Sequence, residues 1–227
     1  MSLILSLETS AKVCSVAIHD DARLVATSEV HIEQSHASKL ASLIDEVKNL
    51  AGIELNQLVA VAISSGPGSY TGLRIGTSTA KGLCFSLGIP LISIGSLELL
   101  TYQMKEYNLQ QAYLCPMIDA RRMEVYCFIV DSSLGIIRPT EAKVIDELSF
   151  KEYLDKSKVI FFGDGSDKCK DQIVHENAHF VKGVYPMASH LGLMAFEKYK
   201  RNGVEDLVNF EPLYLKEFMI KQPKSIN

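Results

Sequence analysis

The sequence predicts an α/β protein built as two like lobes, and three observations carry that prediction. The first hundred residues read as three strands, a helix, a strand, a helix, a strand and a helix, the order of a layered domain. The second half runs through a looser version of the same order. Each half holds an apolar run that ends in a glycine turn: Leu58–Ile63 before Gly66-Pro67-Gly68, and Val159–Phe162 before Gly163-Asp164-Gly165. The 227 residues suffice for two units, here placed at 1–106 and 107–227. A cleft between such lobes is where a ligand would sit.

Taken in order, Leu3–Leu7 is an apolar strand ending in Glu8-Thr9-Ser10, Val13–Ile18 a second and Arg23–His31 a third, joined by short polar turns as a meander. Ser35 and Ser38 precede Leu40, Leu43, Ile44, Val47 and Leu50, an amphipathic helix closed by Gly52. Pro90–Ile94 is a short strand, and Ser96 opens a helix to about Glu106. Then come strands at Ala112–Asp119, Glu124–Asp131 and Ile136–Val144, and a helix at Asp146–Leu154. The strand Val159–Phe162 leads to a helix from Asp167 to His175, a short strand at Phe180–Val181, and an amphipathic helix at Ser189–Lys200. The tail through Glu211–Lys216 reads as extended and then polar, with frayed ends.

The most informative stretch is Ser64–Gly88. Leu58–Ile63 is Val/Ile-rich and short, as for a buried parallel strand. Gly66-Pro67-Gly68 allows a tight turn, Ser69 is a good N-cap, and Leu73, Thr77, Ala80, Leu83 and Leu87 recur at helical spacing until Gly88 and Pro90. The first N–H groups of that helix would point into the crevice beyond the strand ends. This is not a Walker A loop, since Lys81 is followed by Gly82. Gly72, Gly76 and Ala80 form one smooth stripe that lets another backbone come close. It serves either the chain's own sheet or neighbouring helix, or a helix of a second protein.

Composition bounds the function. Hydrophobic residues make up 47% and charged residues 22%, as in ordinary globular proteins, and the net charge of −4 lacks the basic excess of a chain that grips nucleic acid unaided. The basic pairs Arg121-Arg122 and Lys200-Arg201 read as solvated faces. Five scattered cysteines without a CxxC pair suggest neither a zinc ribbon nor a disulfide framework, and thus a reducing cytosol. The start MSLILSLETS lacks a basic segment and is interrupted by Glu8, so no signal peptide is expected, and no apolar run is long enough to span a membrane.

Several blocks resemble the bacterial TsaB (YeaZ) family: Ile4-Leu-Ser-Leu-Glu8-Thr9-Ser10 with Cys14-Ser15-Val16-Ala17; Gln34-Ser35-His36; Ser65-Gly-Pro-Gly-Ser-Tyr-Thr-Gly-Leu-Arg-Ile-Gly76; Pro116-Met-Ile-Asp-Ala-Arg-Arg122 with Glu124-Val-Tyr126; and Phe162-Gly-Asp-Gly165. The resemblance covers nearly the whole chain. It implies the two-lobe acetate/sugar kinase–Hsp70–actin (ASKHA, ribonuclease H-like) fold, with duplicated βββαβαβα-type domains. It also implies a part in forming N6-threonylcarbamoyladenosine at position 37 of tRNAs that read codons beginning with A. In that family the transfer is performed by the paralogue TsaD, with which TsaB pairs, and the P-loop ATPase TsaE joins them. The resemblance further implies a homodimer when the chain is alone, tRNA held mainly by the partner, no cofactor for this subunit, and ATP or ADP only in the assembled complex.

TsaD carries a His-xxx-His metal pair after the strand that follows its own glycine-turn helix. The matching stretch here, Ile92–Leu100, contains no histidine, and Ser or Leu cannot replace imidazole as a ligand. Glu8 stands where related phosphoryl-transfer folds place Asp. The chain therefore reads as the non-catalytic partner, with no catalytic residue and no metal site. The competing readings are an independent kinase or ATPase, and a zinc peptidase. For nucleotide, the cleft candidates are Glu8, Thr9, Ser10, Gly66, Gly68, Asp119, Gly163, Asp164 and Gly165, with Asp164 read first as a helix cap. Asp119 and Arg121-Arg122 sit at a turn, as an ion pair within the lobe or as a contact across the cleft. The peptidase reading rests on His175-Glu-Asn-Ala-His179, which binds zinc only if both imidazoles share one helix, and Asn177 argues against that.

For protein contact, the candidates are His36, Leu40, Leu43, Ile44 and Val47 on the first helix, and Tyr70, Gly72, Leu73, Arg74, Gly76, Thr77 and Ala80 on the second. By default these residues are core. The resemblance instead favours pairing of the two helices with those of another copy or a paralogue, as a two-fold four-helix contact. His36 is read as a cap or interface residue rather than a base.

Overall fold

Leu3–Glu8 forms β1, six residues buried on both faces, which is why the run is almost continuously apolar. A computed structural model describes residues 2–32, 35–109 and 111–216. Met1, Gln34 of the Gln34-Ser35-His36 block and the polar tail past Lys216 lie outside the described residues. β2 (Cys14–Asp20) and β3 (Arg23–Val30) complete the antiparallel meander. α1 (His36–Ala51) follows and stops at Gly52, whose φ of 65° is the left-handed cap that glycine adopts without steric cost. β4 (Leu58–Ser64), α2 (Tyr70–Leu87), β5 (Leu91–Ile94) and α3 (Ser96–Met104) complete the first half. The expected continuation of α3 to Glu106 is a 3-10 turn, Lys105–Tyr107.

The second half contains β6 (Tyr113–Asp119), β7 (Glu124–Val130), β8 (Ile136–Val144), α4 (Lys151–Leu154), β9 (Val159–Phe162), β10 (Ala178–Val181) and α5 (Ala188–Lys200). Two expected helices are shorter than their periodicity suggests. At Asp146–Leu154, Asp146 Oδ1 accepts from Leu148 N at 3.1 Å and Asp146 N donates to Ser149 Oγ at 2.9 Å, a local side-chain turn that competes with helix. Phe150 follows at φ 66°, so only the last four residues are helical. At Asp167–His175 the structure has one 3-10 turn, Asp167–Cys169, with Cys169 N bonded to Ser166 O and Gln172 N to Cys169 O at 3.0 Å each. Cys169 and Ile173 lie in the second core, as i and i+4 would on a helix face, so their burial does not account for the shortening.

The two sheets share one strand order, β3-β2-β1-β4-β5 and β8-β7-β6-β9-β10. In each, the first strand pairs antiparallel with the second and parallel with the strand before the glycine turn. The duplicated α/β architecture expected from the sequence is present. The sheets divide where the chain does, yet two helices cross over. Leu97, Leu100 and Met104 of α3 pack with Leu114, Ile118 and Phe162 of the second half. Leu191 and Ala195 of α5 return to Ile4, Ala60 and Ile92 of the first. The first sheet is thus covered by α1 and α2 on one face, where Leu5, Leu7, Val16 and Ile63 point, and by α5 on the other. Gly192 lets α5 lie against β2: a Cβ there would overlap the His19 ring. His19 Nε2 is 2.9 Å from Ser189 O. Among the described residues no helix is long and apolar enough to cross a membrane.

Candidate functional site

Four strand ends meet between the sheets. Parallel pairing sets Leu7 of β1 opposite Ile63 of β4, so Glu8 and Ser64 become neighbours. Glu8 is fully buried; its Oε1 accepts from Ser10 N at 2.6 Å and its Oε2 from Ser64 Oγ. Burial pushes this carboxyl above its ordinary range, against the two hydrogen bonds, and the nearby Asp164 adds to the rise. Asp164 is itself pushed up, mainly by burial. Its Oδ1 accepts from Asp119 N at 3.1 Å and its carboxyl also accepts from the Lys12 amide. Asp164 therefore caps no helix: it ties the second glycine turn to the end of β6 and to the turn after β1.

The two glycine turns are geometrically alike, with Gly66 at φ 97° and Gly163 at φ 99°. Both are filled by the chain itself. A Cβ on Gly68 would fall on Ser10 O, whose carbon is 3.0 Å away; one on Gly72 would fall on Thr9 O, and one on Gly76 on Thr9 Oγ1. Ser69 N donates to Ser10 O at 2.7 Å, Ser69 Oγ accepts from Gly72 N at 3.3 Å, and Thr9 Oγ1 donates to Gly72 O at 2.8 Å. A Cβ on Gly165 would meet Ile118 C at 2.8 Å and Asp119 N at 2.9 Å. Of the N–H groups at the start of α2, that of Ser69 is taken by the Ser10 carbonyl and that of Gly72 by the Ser69 hydroxyl.

These contacts give the smooth stripe the first of its two readings, packing within the chain itself. Gly72 and Gly76 face Thr9 of the turn after β1, Leu73 lies against Gly66, Thr77 is buried, and Ala80, Leu40, Leu43, Ile44 and Val47 lie in the first core. Apolar side chains at these positions are consumed by the sheet beneath, so they offer no outward face. His36 is buried and bonded to backbone of Ala11 and Val13; burial lowers its pKa. Of the interface candidates, Tyr70 and Arg74 reach the surface. The Arg74 guanidinium lies 4.2 Å over the Tyr70 ring, and Tyr214 packs 5.0 Å from that ring.

The segment after α5 returns across this junction, which periodicity could not foretell. Lys198 Nζ donates to Ser93 O at 2.9 Å and pairs with Glu205 at 2.8 Å, while Ser93 Oγ donates to Glu205 at 2.6 Å. Lys81 donates to the Val208 and Phe210 carbonyls at 3.0 and 3.2 Å. Leu213 N donates to Ser65 O at 2.7 Å, its carbonyl oxygen lies 2.9 Å from where a Gly66 Cβ would be, and Lys216 pairs with Glu124. A cavity of about 260 Å³ lies beside this strap, lined among others by Gly66, Glu98, Thr140 and Lys198.

Asp119 pairs with Lys168 within the second lobe, and its Oδ1 also accepts from Arg121 N at 2.9 Å, so neither arginine is its ionic partner. Ser64, Lys12 and Lys168 belong to the site yet escape sequence reasoning, because each is recruited by strand pairing or by a return of the chain. His175 and His179 do not share a helix: His179 lies in β10. Among the described residues no group of three or more potential ligands could hold a metal ion.

The family model described as TsaD: tRNA N6-adenosine threonylcarbamoyltransferase matches residues 29–217. The tRNA threonylcarbamoyladenosine biosynthesis protein TsaB of Haemophilus influenzae is 36% identical over 127 residues, 54% of this chain and 51% of that protein, so the matched part spans about half of that relative. The TsaB protein of Buchnera aphidicola subsp. Schizaphis graminum is 32% identical over 173 residues, 74% of this chain and 81% of the relative. The solved structure of YeaZ from Pseudomonas aeruginosa superposes with a TM-score of 0.79 at 26% identity, covering 95% of this chain and all of the other (100%). The expected ASKHA-type fold is thus supported by both sheets and neighbours. Sequence, duplicated topology and matches agree: the chain belongs to the TsaB (YeaZ) family of tRNA threonylcarbamoyladenosine biosynthesis.

Proposed function

We propose that this chain is a non-catalytic subunit in the formation of threonylcarbamoyladenosine on tRNA, acting by holding a TsaD-type paralogue that performs the transfer. The observation that supports it most is the packing of the turn after β1 against α2. The turn after β1, where phosphoryl-transfer relatives of this fold seat a phosphate, is packed on Gly68, Gly72 and Gly76 of the chain itself. Glu8 in that turn is buried and drawn toward its neutral form, the wrong state for holding a metal–phosphate. The absence of histidines across Ile92–Leu100 points the same way.

On this reading ATP or ADP is bound in the assembled complex, tRNA is held chiefly by the paralogue, a TsaE-type ATPase joins the pair, and the protein works in the cytoplasm. Contact with the paralogue, or with a second copy when the chain is alone, is made by the outward sides of α1 and α2. There Arg74, Leu50 (66% exposed) and Phe85 (82% exposed) face outward.

The test combines pull-down of the paralogue with mass-spectrometric measurement of modified adenosine in tRNA from a strain depleted of this chain. Capture of the paralogue and loss of the modification are expected. ATP titration of the purified chain is expected to show binding only once the paralogue is present. Modification of tRNA by the chain unaided would overturn the proposal, and ATP turnover by it alone would favour the independent-ATPase reading.

A further inference from the structure

The β6–β7 connection places two arginines where the backbone least favours them. Arg121 and Arg122 have φ of 66° and 49°, successive left-handed residues of the kind that glycine and asparagine adopt at least cost. Both side chains are exposed, and neither guanidinium makes an ion pair with another described residue. Such placement weakens the hairpin, and backbone of this kind persists mainly where it serves a function.

The surroundings are basic. Lys168 Nζ donates to the Arg122 and Glu124 carbonyls at 2.7 and 2.6 Å and pairs with Asp119, and Lys216 pairs with Glu124. Asp119 and Glu124 are therefore already matched by lysines, and neither guanidinium is paired with them. Lys12 joins this rim through Asp164, which interacts with both Lys12 and Asp119. Tyr126, whose ring packs against the Leu97, Leu114 and Phe128 cluster, has its hydroxyl within the electrostatic reach of Arg121 and Lys216.

We propose that the Arg121–Arg122 tip, with the lysines around it, is a contact for the phosphodiester backbone of RNA. Two planar forks suit phosphate oxygens, and the chain's proposed part in tRNA modification makes that phosphate one of RNA. A local basic tip on a chain of net charge −4 also orients a polyanion, because the remaining surface repels it. The inference rests on the proposed role in tRNA modification and adds that this subunit shares in holding the tRNA.

The test uses the full chain in complex with its paralogue and a fluorescein-labelled unmodified tRNA transcript, read by anisotropy from 50 to 300 mM salt. Replacing Arg121→Asn with Arg122→Gly removes two charges and relieves the backbone, so the melting temperature should rise by about 2–4 °C. Affinity for the tRNA should fall on the order of tenfold, with a salt dependence shallower by about 1.5–2. Arg121→Lys with Arg122→Lys keeps the charge and loses the forks, so its affinity should fall by less than that of the Asn-Gly variant.

Unchanged tRNA affinity in the Asn-Gly variant, with the paralogue still bound, would overturn this inference and leave the subunit role standing. Loss of paralogue capture by that variant would make the tip a protein contact and overturn it equally. Failure of the wild-type chain to bind the paralogue at all would instead remove the reading on which it rests.

Discussion

Three glycines of α2 receive opposite predictions from the same substitution. Gly82 has nothing within 4 Å of its Cβ position, so Gly82→Ala is judged by helix propensity alone and should stabilise by about 1 kcal/mol. Gly72→Ala gains the same term, but its methyl would sit on the Thr9 carbonyl oxygen, whose carbon is 3.3 Å away. That obstacle is backbone, so the turn after β1 must move off the helix. Overpacking of this kind costs about 1–3 kcal/mol, and the upper part of the range applies where no side chain can swing aside.

The net expectation for Gly72→Ala is a loss of about 1–2 kcal/mol, and the two variants should differ by about 2–3 kcal/mol. Gly76 adds an internal control, because the atom its Cβ meets is the Thr9 hydroxyl. The Gly76→Ala penalty should shrink when Thr9 is Ala, a coupling readable in a double-mutant cycle. Urea denaturation with unchanged m-values measures all of these. If Gly72→Ala proved as stable as wild type, or Gly76→Ala and Thr9→Ala simply added, the stripe would not be packed on the first turn.

Other outcomes follow from the same geometry. A carboxyl whose folded pKa lies above its unfolded one supplies stability that is full below the unfolded value, 4.5 for Glu8, and is lost as pH rises through the folded value. Glu8→Gln stays neutral throughout. Its unfolding free energy relative to wild type should therefore climb from pH 4.5 upward, by as much as about 1.4 kcal/mol per pH unit inside the window; a flat or falling difference would contradict the raised pKa. The thiols of Cys14, Cys84 and Cys169 are pushed up to about 11 by burial, and all five cysteines are buried and free. At pH 8 a thiol of this kind is thiolate on the order of one part in a thousand, so native labelling with a disulfide reagent should be slow at every cysteine and complete in denaturant. Because His175 and His179 lie on no common helix, EDTA should shift the melting temperature by no more than about 1 °C, and a larger drop would revive the zinc reading.

Local chemistry made much of this protein readable from its residues. Strands appear where Leu3–Leu7 and Val159–Phe162 are apolar. α2 starts at Ser69 and stops at Gly88 because capping and left-handed φ are properties of a few adjacent residues. The repeated strand–glycine–helix order announced the duplicated sheets, since connectivity constrains topology. Where a local side-chain bond competed with periodicity, as at Asp146–Ser149, the residues alone predicted too much helix.

What only the tertiary structure decided is which surface each apolar or smooth face meets. A stripe of Gly72, Gly76 and Ala80 looks the same in sequence whether it awaits a partner or rests on Thr9, because close packing is a relation between segments 60 residues and more apart. The pairing of Glu8 with Ser64 required strand register, and the return of Leu213 to Ser65 and of α5 to the first sheet required the whole chain. Secondary structure is set by neighbours along the chain; a site is set by neighbours in space, and those exist only once long-range burial has fixed the fold.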